Sequence, residues 1–355
     1  LSMKRSLAIL LATTLAACAT GSATGRGEPA SITITQAGWK AELANVVDWV
    51  GTQKSTGFVV IDNNRIVVEA YWPVSEDAAS FRANFVHGTA ANGASLEDVA
   101  SQQKSFVAIL VGIAIDKGLL DISKPVTFYI GPGWSSARAS QESIITVRNL
   151  LEMNSGLQEN MTYGSAPDTQ FYYNTPAYAV LKRVLEAASK LSLDDLTQTW
   201  LARPAGMSDT AWRRRPAVFA DVGNPTGLVT SPRDIARLGQ LVLDGGVSAD
   251  GVRVISKAQL DALFVRTKTN PAYGHLWWLN GSSETVNVGA NSPRRAGQFI
   301  ASAPADLIAA MGAQDRKLYI VPGRKLIIVR TGQAALDRQF DEHLWERLTK
   351  VMPAK

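Results

Sequence analysis

The chain is poor in the residues that most often carry metal, redox or triad chemistry. Of its 355 residues one is cysteine, Cys18, and three are histidine, His87, His275 and His343. A single thiol excludes an internal disulfide framework. The histidines lie far apart, so there is no zinc-ligand spacing, and no metal or organic cofactor is expected. No G-x-S-x-G elbow occurs, which removes the signal for the commonest serine-nucleophile site. No glycine-rich phosphate loop is present either. Charge is mixed: 36 Lys and Arg against 31 Asp and Glu leave a net charge of +5, with no block of one sign. The densest basic run is Arg213, Arg214 and Arg215, after Trp212. It reads as a solvated loop or a local ion-pair site, and no nucleic-acid partner is expected.

What is there is a globular composition, 46% hydrophobic and 19% charged, long enough for a large core. Residues 3–17 read as a secretory signal: Lys4 and Arg5 precede a short apolar run from Leu7 to Leu15, too short to span a membrane. The run ends in Leu15-Ala16-Ala17-Cys18, similar to a bacterial lipobox, so Cys18 is the expected lipidation site. Acylation there anchors the chain to a membrane. Ala19 follows where an aspartate would favour the inner membrane, so the periplasmic face of the outer membrane is the expected location. Residues 18–31 are small and polar and read as a flexible tether.

Trp39, Leu43, Val46, Val47 and Val50 recur at helical spacing. "TGFVVIDNNRIVVEAYW" is two β-rich runs joined at Asp62-Asn63-Asn64, a hairpin signal. Helices are expected in the middle of the chain: from Ser101 to about Lys117, over "ITVRNLLEMNSGL", "TPAYAVLKRVLEAASK" and "SPRDIARLGQLVLDGG". After about Tyr273 short β-rich runs return, and "LDRQFDEHLWERLTKVM" closes the chain as a helix. The simplest arrangement is an α/β (α+β) fold. Residues 32–350 form one domain: an antiparallel sheet from about 32–90 and 255–350, flanked by the first and last helices, with a helical region at about 91–254.

The stretch "EDVASQQKSF" holds the candidate chemistry. A serine hydroxyl is a weak nucleophile and needs an adjacent base. Lysine serves if its ammonium is desolvated or set beside other cations, which lowers its pKa. Ser101 and Lys104, three residues apart on a helix, share one face. At a helix start the serine also meets free backbone N–H groups able to hold an oxyanion. The run after Lys104 is apolar, so this helix is expected in the core, where an idle Ser and Lys would be unfavourable. The spacing by itself is weak evidence of chemistry, and a capping serine beside a surface lysine remains the plain alternative.

Seven stretches, taken in order, carry a resemblance: "EDVASQQKS", "ITVRNLLEMNSGL", "FYYNTPAYAVLKRVLE", "ARPAGMSDTAW", "GLVTSPRDIARLGQLVLDGG", "YGHLWWLN" and "GAQDRKLYIVPGRKLIIVR". Over nearly all of residues 40 to 350 the chain resembles the serine β-lactamase and penicillin-binding-protein superfamily. Within it the chain is most similar to the class C-like branch with family VIII carboxylesterases and 6-aminohexanoate-dimer hydrolases. The resemblance implies a β-lactamase/transpeptidase-like fold and makes Ser101 the nucleophile with Lys104 as its partner. The family's Y-x-N tyrosine falls on Tyr173, with Thr175 at the asparagine position; reading Tyr172-Tyr173-Asn174 as the motif makes Tyr172 catalytic instead. A phenol beside a lysine ammonium is expected to titrate below its ordinary value.

The family's third element, K-T-G or H-x-G, aligns with Ala313-Gln314-Asp315, which has neither the basic residue nor the glycine. The resemblance implies that a backbone N–H at the strand 313–316 completes an oxyanion hole with that of Ser101. It makes Gln314, Asp315 and Arg316 substrate-side residues. Tyr172 and Trp277 are candidate pocket walls, with a packed aromatic cluster and a core tryptophan pair as the plain alternatives. Losing the basic residue weakens the case for β-lactams. The implied activity is hydrolysis of a small-molecule ester or amide by Ser-Lys-Tyr catalysis through an acyl-enzyme. A penicillin-recognising enzyme or DD-peptidase, and a periplasmic binding lipoprotein without catalysis, are the alternatives.

Overall fold

The computed structural model describes residues 31–35, 38–220, 223–289 and 291–354. The signal, lipidation and tether readings, Cys18 among them, lie outside the described residues.

The hairpin signal forms as expected. Asn63 and Asn64 take φ of 48° and 62°, the left-handed region that asparagine tolerates better than most residues. Ser55–Asp62 thereby folds back on Arg65–Tyr71, with Asp62 opposite Arg65. This hairpin belongs to a seven-stranded sheet in the order Ser31–Ile34, Arg65–Tyr71, Ser55–Asp62, Leu326–Gly332, Arg316–Val321, Ile308–Gly312, Trp278–Leu279. Every neighbouring pair is antiparallel. The two ends of the chain meet where Ser55–Asp62 pairs with Leu326–Gly332. Leu326–Gly332 is buried throughout and Ser55–Val60 likewise, as strands covered on both faces must be.

The helices Leu43–Thr52 and Phe340–Val351 pack together and on the sheet. Leu43, Val46, Val47 and Val50 point inward, and Trp49 stacks on Phe340 at 5.3 Å. Pro232–Leu243 packs on Ser55–Asp62, Arg316–Val321 and Leu326–Gly332. Gly239 allows that approach, because an added Cβ would sit 2.9 Å from Ile327 and 3.1 Å from Leu318.

The helix Gln103–Asp116 is buried from Gln103 to Ala114 and packs against Thr175–Ser189 and Lys257–Leu263. A helix apolar on every side belongs in a core. A second sheet, ordered Val86–Thr89, Ser95–Asp98, Thr226–Thr230, Ala211–Arg214, lies mostly within the expected helical region and takes its first strand from the stretch assigned to the main sheet. These strands are short; Val86–Thr89 and Ser95–Asp98 form a local hairpin, but the central pairing is between segments distant in sequence, Asp98 opposite Val229. Their function in the fold is placement, since Ser95–Asp98 delivers the chain directly to Ala100 and Ser101. Among the described residues no helix is long and apolar enough to cross a membrane.

Candidate active site

Ser101 lies in a 3-10 turn, Ala100–Gln102, that runs into Gln103–Asp116. Ala100 holds φ at 51°, a left-handed conformation that costs a non-glycine residue roughly 1–3 kcal/mol. Its N–H donates to Asp98 Oδ1 at 2.9 Å, which helps hold the strained turn. Ser101 is partly exposed at the wall of a cavity of about 460 Å³. Lys104 is 1% exposed. Its Nζ stands 2.9 Å from Ser101 Oγ and 3.1 Å from Thr175 Oγ1, over the rings of Tyr173 at 4.7 Å and Tyr178 at 4.8 Å. Burial, then the positive charge of Arg215, hold the Lys104 ammonium well below its ordinary pKa. The pair is therefore a hydroxyl beside an amine that sheds its proton readily.

Both candidate tyrosines line the cavity. Asn174 has a structural task between them. It caps Thr175–Ser189 by accepting from Ala177 N at 3.0 Å, and its Nδ2 donates to the carbonyls of Leu157 and Gln158 at 2.9 Å each. Thr175, in the first turn, instead presents its hydroxyl to Lys104. Tyr173 is stacked on Trp278 at 6.1 Å and meets Tyr273 edge-on at 6.3 Å. Burial pushes its phenol up to about 12, with the Ser101 hydroxyl pulling weakly the other way. This overturns the expected downward shift. Desolvation of the phenol outweighs a lysine that is itself disposed to be neutral. Burial and the charge of Glu159 raise the Tyr172 phenol as well.

The 313–315 segment departs from the expected strand. It is the turn between Ile308–Gly312 and Arg316–Val321, with φ of 64° at Gln314 and 54° at Asp315. Ala313 lines the cavity, whereas Gln314, Asp315 and Arg316 do not. Gln314 Oε1 accepts from Ala334 N and Asp315 Oδ2 from Ala335 N, both at 2.9 Å, so these side chains pin the neighbouring loop. Arg316 is fully buried, 3.2 Å from Glu97, with its guanidinium over the Phe85 ring at 4.6 Å. Phe85 lines the cavity, so Arg316 supports that wall from behind. Trp277 is no wall either: it is fully buried, edge-on to Phe264 at 5.5 Å.

Two buried arginines grip the turn's carbonyls. Arg316 Nη1 donates to Ala313 O at 2.9 Å; Arg330 Nη1 donates to Gln314 O at 2.9 Å and Asp315 O at 3.1 Å. These bonds offset the strain of two left-handed side-chain residues. Gly312 lets the strand reach the serine turn: a Cβ there would sit 2.3 Å from Val99 O and 3.2 Å from Gln102 N. Among the described residues no hydrogen bond uses the N–H of Ser101 or of Ala313.

Several pocket residues left no local trace in the sequence. Asp98 and Arg215 line the cavity together. Arg215 donates from Nε to Asp98 Oδ2 at 2.7 Å and from Nη2 to Oδ1 at 2.8 Å. Of the basic run, Arg215 thus serves as an ion-pair partner, while Arg213 and Arg214 are exposed. The pair fits because Gly227 has no Cβ, which would fall 1.9 Å from Asp98 Oδ2. Behind it Lys182 donates to Asn224 Oδ1, Thr226 O and Thr226 Oγ1 at 2.6, 2.8 and 3.0 Å. His275 sits apart from the cavity, 3.4 Å from Glu152. Asp234 is structural, accepting from Asp209 N and Thr210 Oγ1 and pairing with Arg237. Among the described residues no three His, Cys, Asp or Glu cluster to hold a metal.

Comparison with known proteins gives the family and the fold. The Beta-lactamase family model matches residues 47–348. Penicillin-binding protein 4 of Amycolatopsis lactamdurans is 26% identical over 217 residues, 48% of this chain; the match spans only 57% of that relative's length. A Bacillus anthracis protein assigned as a 6-aminohexanoate-dimer hydrolase superposes with a TM-score of 0.62 at 16% identity, covering 86% of this chain and 80% of the other. A family VIII carboxylesterase superposes with a TM-score of 0.61 at 15% identity, covering 91% of this chain and 100% of the other. At such identities the superpositions speak for the fold.

Proposed function

The chain belongs to the Beta-lactamase family, a serine-hydrolase family, and from that premise we propose that it hydrolyses carboxylic esters or simple amides through an acyl-enzyme on Ser101. The observation that carries this reading is the Ser101–Lys104 contact of 2.9 Å at the wall of a cavity, with Lys104 buried. The fold neighbours include an esterase and a protein assigned to amide hydrolysis, which supports the substrate class.

In the proposed course Lys104, as the neutral amine, takes the Ser101 proton while Oγ attacks the substrate carbonyl. The N–H groups of Ser101 and Ala313 receive the developing oxyanion. Donors of this kind contribute roughly 10²–10³ in rate. Tyr173, protonated because its phenol is pushed up to about 12, gives its proton to the leaving oxygen or nitrogen and regains one from the Lys104 ammonium. Water then attacks the acyl-enzyme, losing its proton to the same pair, and the serine oxygen leaves as the hydroxyl. Thr175, 3.1 Å from Lys104 Nζ, positions the amine as an asparagine would.

The test is p-nitrophenyl butyrate hydrolysis by the purified protein beside its Ser101→Ala variant. Hydrolysis lost with the hydroxyl is the expected result. Hydrolysis retained by the variant, or absent from both while ligand binding persists, would reject the reading and favour a binding protein.

A further inference from the structure

Three charged residues line the cavity: Asp98, Glu159 and Arg215. Arg215 commits its charge to Asp98, and three of its five N–H donors are engaged within the protein. Its Nε and Nη2 are bonded to the Asp98 carboxylate and its Nη1 donates to Asn224 O at 3.3 Å. The pair is well buried, at 10% and 3% side-chain exposure, so its charges cancel inside the protein. Glu159 is exposed at the rim and makes no ion pair among the described residues. Much of the remaining wall is apolar, with the rings of Phe85 and Phe219 in contact at 5.2 Å and Val288 close to the mouth. Lys104, the nearest ammonium, is turned to Ser101 and Thr175 and does not line the space.

We propose that this site selects substrates with an uncharged acyl group and discriminates against those carrying a carboxylate, and that the closed Asp98–Arg215 pair together with Glu159 sets this selectivity. The inference rests on the proposed function and names its substrate class. A carboxylate entering the cavity gives up water, finds the lining cation already neutralised by Asp98, and meets the unpaired carboxylate of Glu159. An alkyl or aryl acyl group replaces water against aromatic walls at no such penalty. The selectivity is reversible in principle, because the cation is present and only masked: removing the charge of Asp98 would expose Arg215.

The test compares p-nitrophenyl butyrate with p-nitrophenyl hydrogen succinate, whose acyl chain matches butyrate in length and ends in a carboxylate. We expect kcat/KM to favour butyrate by about tenfold or more, the effect of an uncompensated charge in a partly desolvated site. Glu159→Gln, an exposed substitution, should narrow the gap about two- to threefold by removing a single solvent-screened repulsion. Asp98→Asn should narrow it further. Equal rates on the two esters, or a gap that both variants leave unchanged, would overturn the proposal. If neither ester is cleaved, the proposed function fails separately, and selectivity is then read from binding. Phenylboronic acid and 4-carboxyphenylboronic acid are titrated by intrinsic fluorescence. A carboxylated boronate about tenfold weaker supports the inference, and equal affinity or no binding of either overturns it.

Discussion

Lys104 Nζ stands 2.9 Å from Ser101 Oγ, and Lys104 is 1% exposed while Ser101 faces a cavity. Proximity puts the amine within reach of the hydroxyl proton, and burial, followed by the charge of Arg215, makes the amine ready to accept it. The kcat/KM profile should therefore rise with pH through a single limb, set by Lys104 at a value well below that of free lysine. No matching alkaline fall should appear through the ordinary assay range, since Tyr173 loses its proton only near about 12. Lys104→Arg keeps the charge at every pH and should lose roughly 10²–10⁴ in kcat/KM across the whole profile.

The two tyrosines should separate cleanly. Tyr173→Phe keeps the stack on Trp278 and removes the hydroxyl beside Ser101, so kcat should fall by roughly 10² or more with little change in melting temperature. Tyr172→Phe should leave kcat within about threefold, since a wall residue makes no proton transfer. The opposite ranking in steady-state kinetics would move the catalytic role to Tyr172.

Gly312 controls how closely the strand approaches the nucleophile. Gly312→Ala forces a Cβ to within 2.3 Å of Val99 O, so the strand and Ala313 must shift away from Ser101. A loss of roughly 10² in kcat is expected, the size of one oxyanion donor, with KM for a small ester little affected. Unchanged kcat would remove Ala313 from the oxyanion site.

Ala100 stores strain next to the serine. Ala100→Gly releases the penalty of φ at 51° and should raise stability by about 1 kcal/mol, after the entropy cost of glycine is subtracted. Urea denaturation measures this. Destabilisation would show that the alanine methyl contributes packing that outweighs its backbone.

The Asp98–Arg215 pair should appear in acid stability. Burial alone raises the Asp98 carboxyl, but bonds from Arg215 and the Ala100 N–H outweigh it and hold the group below its ordinary 3.8. A carboxyl lowered in the folded state stabilises above its unfolded value and loses that contribution as pH falls through the folded value. The window is thus below pH 3.8. Asp98→Asn should flatten this part of the stability profile. At neutral pH it should cost about 3–5 kcal/mol, because it leaves a buried guanidinium uncompensated.

Much of the site was legible locally. Ser101 and Lys104 are three residues apart, so helix geometry alone puts them on one face. Tyr173 and Thr175 share one short motif. The reading of 313–316 failed in a different way. Ala313 lines the cavity, yet Gln314, Asp315 and Arg316 turn from it, because two buried arginines hold the turn by its carbonyls. Arg330 and the 313–315 turn are distant in sequence, and no spacing rule relates them.

Local patterns therefore determined most elements and the Ser101–Lys104 contact: period, turn chemistry and the i, i+3 relation act over a few residues and need no partner from afar. Asn63 and Asn64 close their hairpin by their own backbone preferences. Tertiary structure decided the chemistry's environment. The phenol of Tyr173 rises rather than falls because helices and strands from across the chain exclude water from it. Arg215 is masked because Asp98, 117 residues away, folds against it. Desolvation and charge pairing depend on what surrounds a group in space, and that is set only when the whole chain has folded.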